Sequence, residues 1–293
     1  MERGGAAMAE ITAKDVNELR KRTGLGLMEC KTLLKEAEGD MKRAETLAKE
    51  RNLTKAAGRA DRVARAGRVE AAIAPDGKVG ALVELNCETD FVARNDAFRA
   101  AVRDLADQVL KNGAEGLADQ KWRKEPSRTV AEFLNDLNAR TGENVALARA
   151  VRFEATGRVD AYVHHDAKSG ALVAVDGNVE PQLVKDLALQ VVAARPLAAR
   201  RADLPESLVA EQRRIFALQV PEDKPEQVRS KIAEGKLNAW YGESVLLDQE
   251  FVKDPSKKVR DVVAAAVQGI EVTRIARFVV GESAEVEAEA AAS

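Results

Sequence analysis

Nucleophilic or metal chemistry would have to be built from very few side chains in this sequence: Cys30, Cys87 and the adjacent pair His164 and His165. Two neighbouring histidines are too few for a His-rich metal centre. The cysteines stand far apart and in no CxxC pattern, which fits a reducing, cytoplasmic compartment better than a disulfide scaffold. A cysteine–histidine nucleophile would need Cys30 or Cys87 to meet His164. Both thiols lie in apolar patterns, where a buried and inert cysteine is the ordinary outcome. Phosphate-loop, GxSxG and HExxH signatures are absent, and the carboxylates are too scattered to nominate a general acid and base. The reading is of a non-enzymatic protein with no catalytic residues, no metal and no cofactor.

One segment stands apart, Asn86-Cys87-Glu88-Thr89-Asp90-Phe91-Val92-Ala93-Arg94-Asn95, which follows a β-rich run and precedes a helical pattern. Read from its neighbours alone, it places Phe91 in the core and Thr89 or Asp90 as a helix N-cap. The alternative is a functional loop.

The elements that must position these residues follow from caps and periodicity. From about Ala9 to Leu53 the pattern is three short helices: Thr12 with Asp15 makes a capping box, Ile11 and Val16 a hydrophobic staple, and Asp40 caps the third helix. Between Arg51 and Arg68 the arginines and Lys55 recur at helical spacing. Without interleaved aromatics to stack on bases, this reads as a solvated linker helix in preference to a nucleic-acid stripe. The formal charge of −2, from 46 basic and 48 acidic residues, argues against wholesale binding to nucleic acid or an anionic membrane. No apolar run approaches the roughly 18–20 residues of a bilayer span.

The middle of the chain is duplicated. Gly67–Leu85 (GRVEAAIAPDGKVGALVEL) and Gly157–Val175 (GRVDAYVHHDAKSGALVAV) share 10 of 19 positions at a constant offset of 90 residues. Each copy reads as a β-hairpin followed by a helix, Ala97–Leu110 and Pro181–Ala194. The second copy has Asp176-Gly177-Asn178-Val179 where the first has its Phe91 segment. Pro205 and Pro225 each start a helix, making a helical hairpin over 201–243; a helix over Asp254–Gln268 and a strand over Thr273–Val280 follow. The fold class is α+β: an N-terminal three-helix domain, then two α+β units with small antiparallel sheets, the second carrying the helical hairpin. The plan is a disordered extension 1–8, three helices 9–54, a basic linker 55–66, repeats 67–145 and 146–281, and a disordered tail 282–293. Met8 opens the more structured segment, so residues 1–7 read as an upstream start or as residues added for expression.

Thr89-Asp90-Phe91-Val92-Ala93-Arg94-Asn95 resembles a signature of the elongation factor Ts family. So does Leu19 to Lys31, followed by Glu36-Ala37-Glu38-Gly39-Asp40. Further matches are Thr141-Gly142-Glu143-Asn144, Glu234-Gly235-Lys236-Leu237 and Phe251 to Lys257, in the family's order. The resemblance implies a ubiquitin-associated-like helical domain that docks on the GTPase elongation factor Tu, with Arg20, Leu27 and Met28 on the contacting side. Leu27 replaces the more usual methionine. It further implies that Thr89, Asp90, Phe91 and Val92 disturb the partner's Mg²⁺ and nucleotide site, and that Asn95 and His164 support partner contact. The helical hairpin would be the family's coiled-coil module, contacting the partner or a second copy.

Overall fold

Local caps set the first three helices. In the computed structural model, which describes residues 11–23, 25–60, 62–221, 223–266 and 269–282, Thr12 and Asp15 exchange backbone N–H bonds at 3.0 and 3.2 Å and start α1 (Ala13–Thr23). α2 (Leu27–Glu36) closes in a Schellman motif. The Gly39 N–H reaches the Leu34 carbonyl at 2.9 Å and the Glu38 N–H that of Lys35 at 3.1 Å. Asp40 accepts the Arg43 N–H at 3.0 Å and caps α3 (Met41–Ala60). Val16, Leu19, Leu25, Cys30, Leu33, Leu34, Ala44 and Ala48 form their common core.

The remaining elements, in chain order, are β1 (Ala66–Ile73), β2 (Val79–Cys87), α4 (Asp90–Arg94), α5 (Asp96–Asn112), α6 (Val130–Thr141), β3 (Ala146–Glu154), β4 (Arg158–Val163), β5 (Ser169–Asp176), α7 (Pro181–Ala194), α8 (Glu206–Leu218), α9 (Glu226–Ser244), β6 (Glu250–Phe251), β7 (Asp254–Lys258), α10 (Val259–Ala266) and β8 (Glu271–Val279). They fall into two compact units. One gathers the described residues up to Ala66 with Asn86–Phe98 and Gly116–Ala146; the other gathers Gly67–Leu85, Arg99–Glu115 and the described residues from Leu147 onward.

In the first unit α3 also packs along α6, whose N-terminus carries a second capping box between Thr129 and Glu132. Trp122 stacks on Phe133 with ring centroids 4.1 Å apart.

The second unit is a pair of three-stranded sheets, ordered β1-β2-β3 and β4-β5-β8. Val69, Leu82 and Phe153 of the one meet Val159, Leu172, Ala174 and Phe278 of the other in a shared apolar layer. On its opposite face β5 sets Ala171, Val173 and Val175 against Val184, Leu187, Ala188 and Val191 of α7. With both faces covered, β5 reads as an unbroken apolar run instead of an alternating one. The buried carboxylate of Glu84 pairs with Arg149 at 2.7 Å and accepts the Gly281 N–H at 3.0 Å, tying the chain beyond β8 to the first sheet.

The two hairpins interlock reciprocally. Val69 donates its N–H to the Ala167 carbonyl at 2.8 Å, and Val159 donates to the Gly77 carbonyl at 2.7 Å. Each bond is the other displaced by 90 residues at both ends. A Cβ on Gly80 would lie 2.5 Å from Val159, and one on Gly170 would lie 2.9 Å from Val69, the same relation again. The repeats thus meet as an isologous pair, each using one patch against its own counterpart.

The stretch from 55, read as a linker helix, is the end of α3 as far as Ala60. Two expectations differ from what is found. The sequence-order boundary at 145/146 splits a sheet: β3 lies in the stretch assigned to the second repeat, yet it completes the first sheet. Asp254–Lys258 is a strand paired with β6, not the start of a helix. There the Asp254 carboxylate accepts from the Ser256 hydroxyl at 2.6 Å and pairs with Lys257 at 2.8 Å, a local alternative to helical bonding. The expected extension 1–8, all but Glu282 of the expected tail, and the side chains of Lys55 and Arg59 lie outside the described residues.

Candidate functional site

The segment leaving β2 is built from short-range bonds. Cys87 donates its thiol to the Thr89 carbonyl at 3.3 Å. Thr89 is extended (φ −129°, ψ 154°) and its hydroxyl accepts the Val92 N–H at 3.4 Å, capping α4. Asn95 closes the turn by donating its N–H to the Val92 carbonyl at 2.9 Å. Its side-chain oxygen accepts the Ala97 N–H at 2.8 Å and so opens α5. A helix of five residues is far below the length that sustains itself in water, about 12–15 residues. This one buries only Ala93.

Phe91 is therefore on the surface, 90% exposed, and the core placement that its neighbours suggest is not what occurs. Among the described residues nothing apolar covers it, because α4 turns its one buried position, Ala93, inward and carries Phe91 on the outside. Thr89 and Asp90 are exposed and Val92 is half-buried beside it.

The loop is fastened from a distant part of the same unit. The Glu143 carboxylate accepts the N–H of Glu88 at 3.1 Å, the N–H of Thr89 at 3.0 Å and the Thr89 hydroxyl at 2.6 Å. In return Glu88 accepts the Asn144 N–H at 2.7 Å, and the Asn144 side chain donates to the Arg62 carbonyl at 2.8 Å. Sequence reasoning picks out Thr141 to Asn144 as a family-like tetrapeptide but assigns it no task. The partners of Glu143 are 54 and 55 residues away and those of Asn144 are 56 and 82 away, beyond the reach of any local pattern.

The other candidate residues sit in two places. Arg20 is exposed on α1. Leu27 and Met28, 46% and 76% exposed, open α2 on the side away from buried Cys30, Leu33 and Leu34. With the α4 segment and Asn95 they belong to the first unit. His164 belongs to the second, where it starts the β4–β5 turn. Its N–H bonds the Ser169 carbonyl at 2.9 Å and its Nδ1 meets the Tyr162 hydroxyl at 3.1 Å. The His165 ring lies 4.3 Å from it, centroid to centroid. Cys30 is buried, with its thiol 3.7 Å from the Leu25 carbonyl it donates to, and burial pushes that thiol's pKa up, away from thiolate chemistry.

Among the described residues no group of three or more His, Cys, Asp or Glu side chains could hold a metal ion, and no helix is long and apolar enough to cross a membrane.

The family model described as Elongation factor TS matches residues 88–282. The protein named elongation factor Ts from Aquifex aeolicus (strain VF5) is 36% identical over 284 residues, covering 92% of this chain and 98% of that protein. Its namesake from Halorhodospira halophila (strain DSM 244 / SL1) is 40% identical over 276 residues, 94% of each. That from Nitrosomonas eutropha (strain DSM 101675 / C91 / Nm57) is 39% identical over 283 residues, 95% of this chain and 94% of the relative.

Proposed function

The chain belongs to the elongation factor Ts family, and on that premise we propose that it is the guanine-nucleotide exchange factor of translation elongation, working in the cytoplasm. It binds elongation factor Tu carrying GDP and promotes GDP release. The observation that supports the mechanism is the 90% exposed Phe91 at the tip of a short helix fastened to the body behind it. A large apolar side chain held out in solvent has most to gain from entering a partner.

Exchange of this kind is a coupling. If the factor weakens GDP binding by some ratio, GDP weakens binding of the factor by the same ratio. Each ~1.4 kcal/mol of that opposition is worth tenfold. Burying a side chain of phenylalanine's size supplies roughly 1.5–3 kcal/mol, enough for one wedge to contribute about ten- to hundredfold. Beside a Mg²⁺ ion on nucleotide phosphates, such a wedge weakens the hold on nucleotide by loosening the largest local charge. No covalent step or proton transfer is required of this chain.

In this reading Thr89, Asp90, Phe91 and Val92 are the disturbing element. Arg20, Leu27, Met28, Asn95 and His164 supply grip on the partner, and the α8–α9 hairpin offers a further contact through Leu218 and Val228, 74% and 42% exposed. A reading centred on RNA and the basic stripe has little to rest on. Arg51 pairs with Glu36 at 2.6 Å and Arg62 approaches Glu88 at 3.5 Å, so part of that charge is already neutralised within the chain.

The test is release of labelled GDP from purified elongation factor Tu. Catalytic amounts of this protein should accelerate release many-fold in the presence of Mg²⁺. Release at the unassisted rate at every concentration of the factor would refute the assignment.

A further inference from the structure

We infer that Glu143 is the positioning residue of the exchange tip: it orients Thr89, and through Thr89 holds α4 in the geometry that presents Asp90 and Phe91. The inference rests on the exchange reading of the Phe91 tip given above.

The Thr89 hydroxyl has one proton, and it is directed to the Glu143 carboxylate at 2.6 Å. With that proton committed, the lone pairs of the same oxygen face the Val92 N–H, where they serve as the N-cap of α4. The other Glu143 oxygen accepts two successive backbone N–H groups, from Glu88 and Thr89. A carboxylate has only acceptors to offer, so all three donors are satisfied by one side chain. Hydrogen bonds to a charged group are shorter and stronger than neutral ones. Since α4 buries only Ala93, little packing would hold the tip if this clamp were lost.

A purely structural glutamate would be indifferent to whether Phe91 is present; a positioning one is not. Glu143→Gln keeps the shape but turns one acceptor into a donor aimed at N–H or O–H groups. Thr89→Val removes the hydroxyl, and Thr89→Ser retains it. The experiment measures GDP release from elongation factor Tu as a function of factor concentration, with the thermal midpoint of each variant measured alongside.

Glu143→Gln and Thr89→Val should each lower the plateau rate by about three- to tenfold, the loss expected when the competent tip is only fractionally populated. Half-saturation should change less than about twofold, since Arg20, Leu27 and Met28 are untouched, and Thr89→Ser, which retains the hydroxyl, should recover most of the plateau that Thr89→Val loses. Combining Glu143→Gln with Phe91→Ala should slow release little beyond Phe91→Ala alone, because both act through one ring. If Phe91→Ala slows release while Glu143→Gln does not, or if the two effects multiply, Glu143 does not position the tip. A Thr89→Ser plateau as low as that of Thr89→Val would overturn the inference in the same way. If Phe91→Ala itself leaves release unchanged, the exchange reading of the tip falls first and takes this inference with it.

Discussion

The two repeats make the same turn and then part company. In the first, Ala74 donates its N–H to the Val79 carbonyl and Gly77 donates to the Ala74 carbonyl, both at 2.8 Å; in the second, His164 donates to the Ser169 carbonyl at 2.9 Å and Ala167 to the His164 carbonyl at 2.8 Å. Asp76 and Asp166 accept the N–H of Lys78 and Lys168 at the same distance, 2.9 Å. In the segment between the paired strand and the helix that follows it, the two differ. The first repeat leaves β2 through Glu88–Asn95 and puts Phe91 into solvent, while the second passes from Gly177 to the Pro181 start of α7 with no aromatic. What is duplicated is what must fit its counterpart. What has diverged includes an aromatic left exposed, where a partner can be met.

The largest expected consequence of that difference is in rate. Phe91→Ala should slow GDP release roughly ten- to hundredfold, the range set by one buried aromatic, with a thermal midpoint close to the parent's because an exposed ring supports no core. A strongly lowered midpoint with normal exchange by the folded fraction would erase the distinction between the loops.

Next in size are substitutions in what the repeats share. Gly80→Val and Gly170→Val each push a branched side chain into the opposing repeat, and overpacking of this kind costs about 1–3 kcal/mol or more. Urea denaturation should find both destabilised. If only one is, the reciprocity of the interface is not energetic.

A smaller effect is expected at His164, the second repeat's own addition. His164→Ala should raise the half-saturating concentration about fivefold, as loss of ~1 kcal/mol of contact would, and leave the plateau rate in place. A depressed plateau with unchanged half-saturation would show that the second repeat also disturbs the nucleotide.

The smallest concerns Ala167, which holds the left-handed position (φ 55°) that Gly77 holds in the first repeat (φ 70°). Left-handed geometry costs a non-glycine residue roughly 1–2 kcal/mol, of which glycine's greater unfolded-state freedom returns about 0.5–1. Ala167→Gly should therefore stabilise by up to about 1 kcal/mol in the same urea assay, and a loss of stability would mean that the two turns are not equivalent.

Much of this architecture is legible in the residues themselves. Thr12 with Asp15 and Asp40 with Arg43 are local devices, decided within three positions, and the offset of 90 residues declares the duplication because identical side chains answer identical surroundings. Pairings between distant segments leave no such mark. Nothing near Ala146–Glu154 says that it completes the first sheet, and α6 goes unread although Thr129 and Glu132 spell a capping box. Phe91 is ambiguous for a related reason: an aromatic beside small residues reads as core unless one knows that the five-residue helix bearing it is anchored from Glu143. Asp254–Lys258 misleads in the opposite direction, its charged residues suiting a helix until the Asp254 side chain takes the bonds first.

The reciprocal bonds between hairpins also impose a schedule on synthesis. The Gly77 carbonyl awaits Val159 and the Val69 N–H awaits Ala167, partners that the ribosome adds 82 and 98 residues later. At about 5–20 residues per second, the first hairpin spends roughly 4–20 s with the inward face of Val69 and Leu82 uncovered. Its own third strand arrives only shortly before the second hairpin does. For that interval the nascent chain carries half of a symmetric interface with nothing to close it, an opening for a chaperone or for the same hairpin on a neighbouring ribosome.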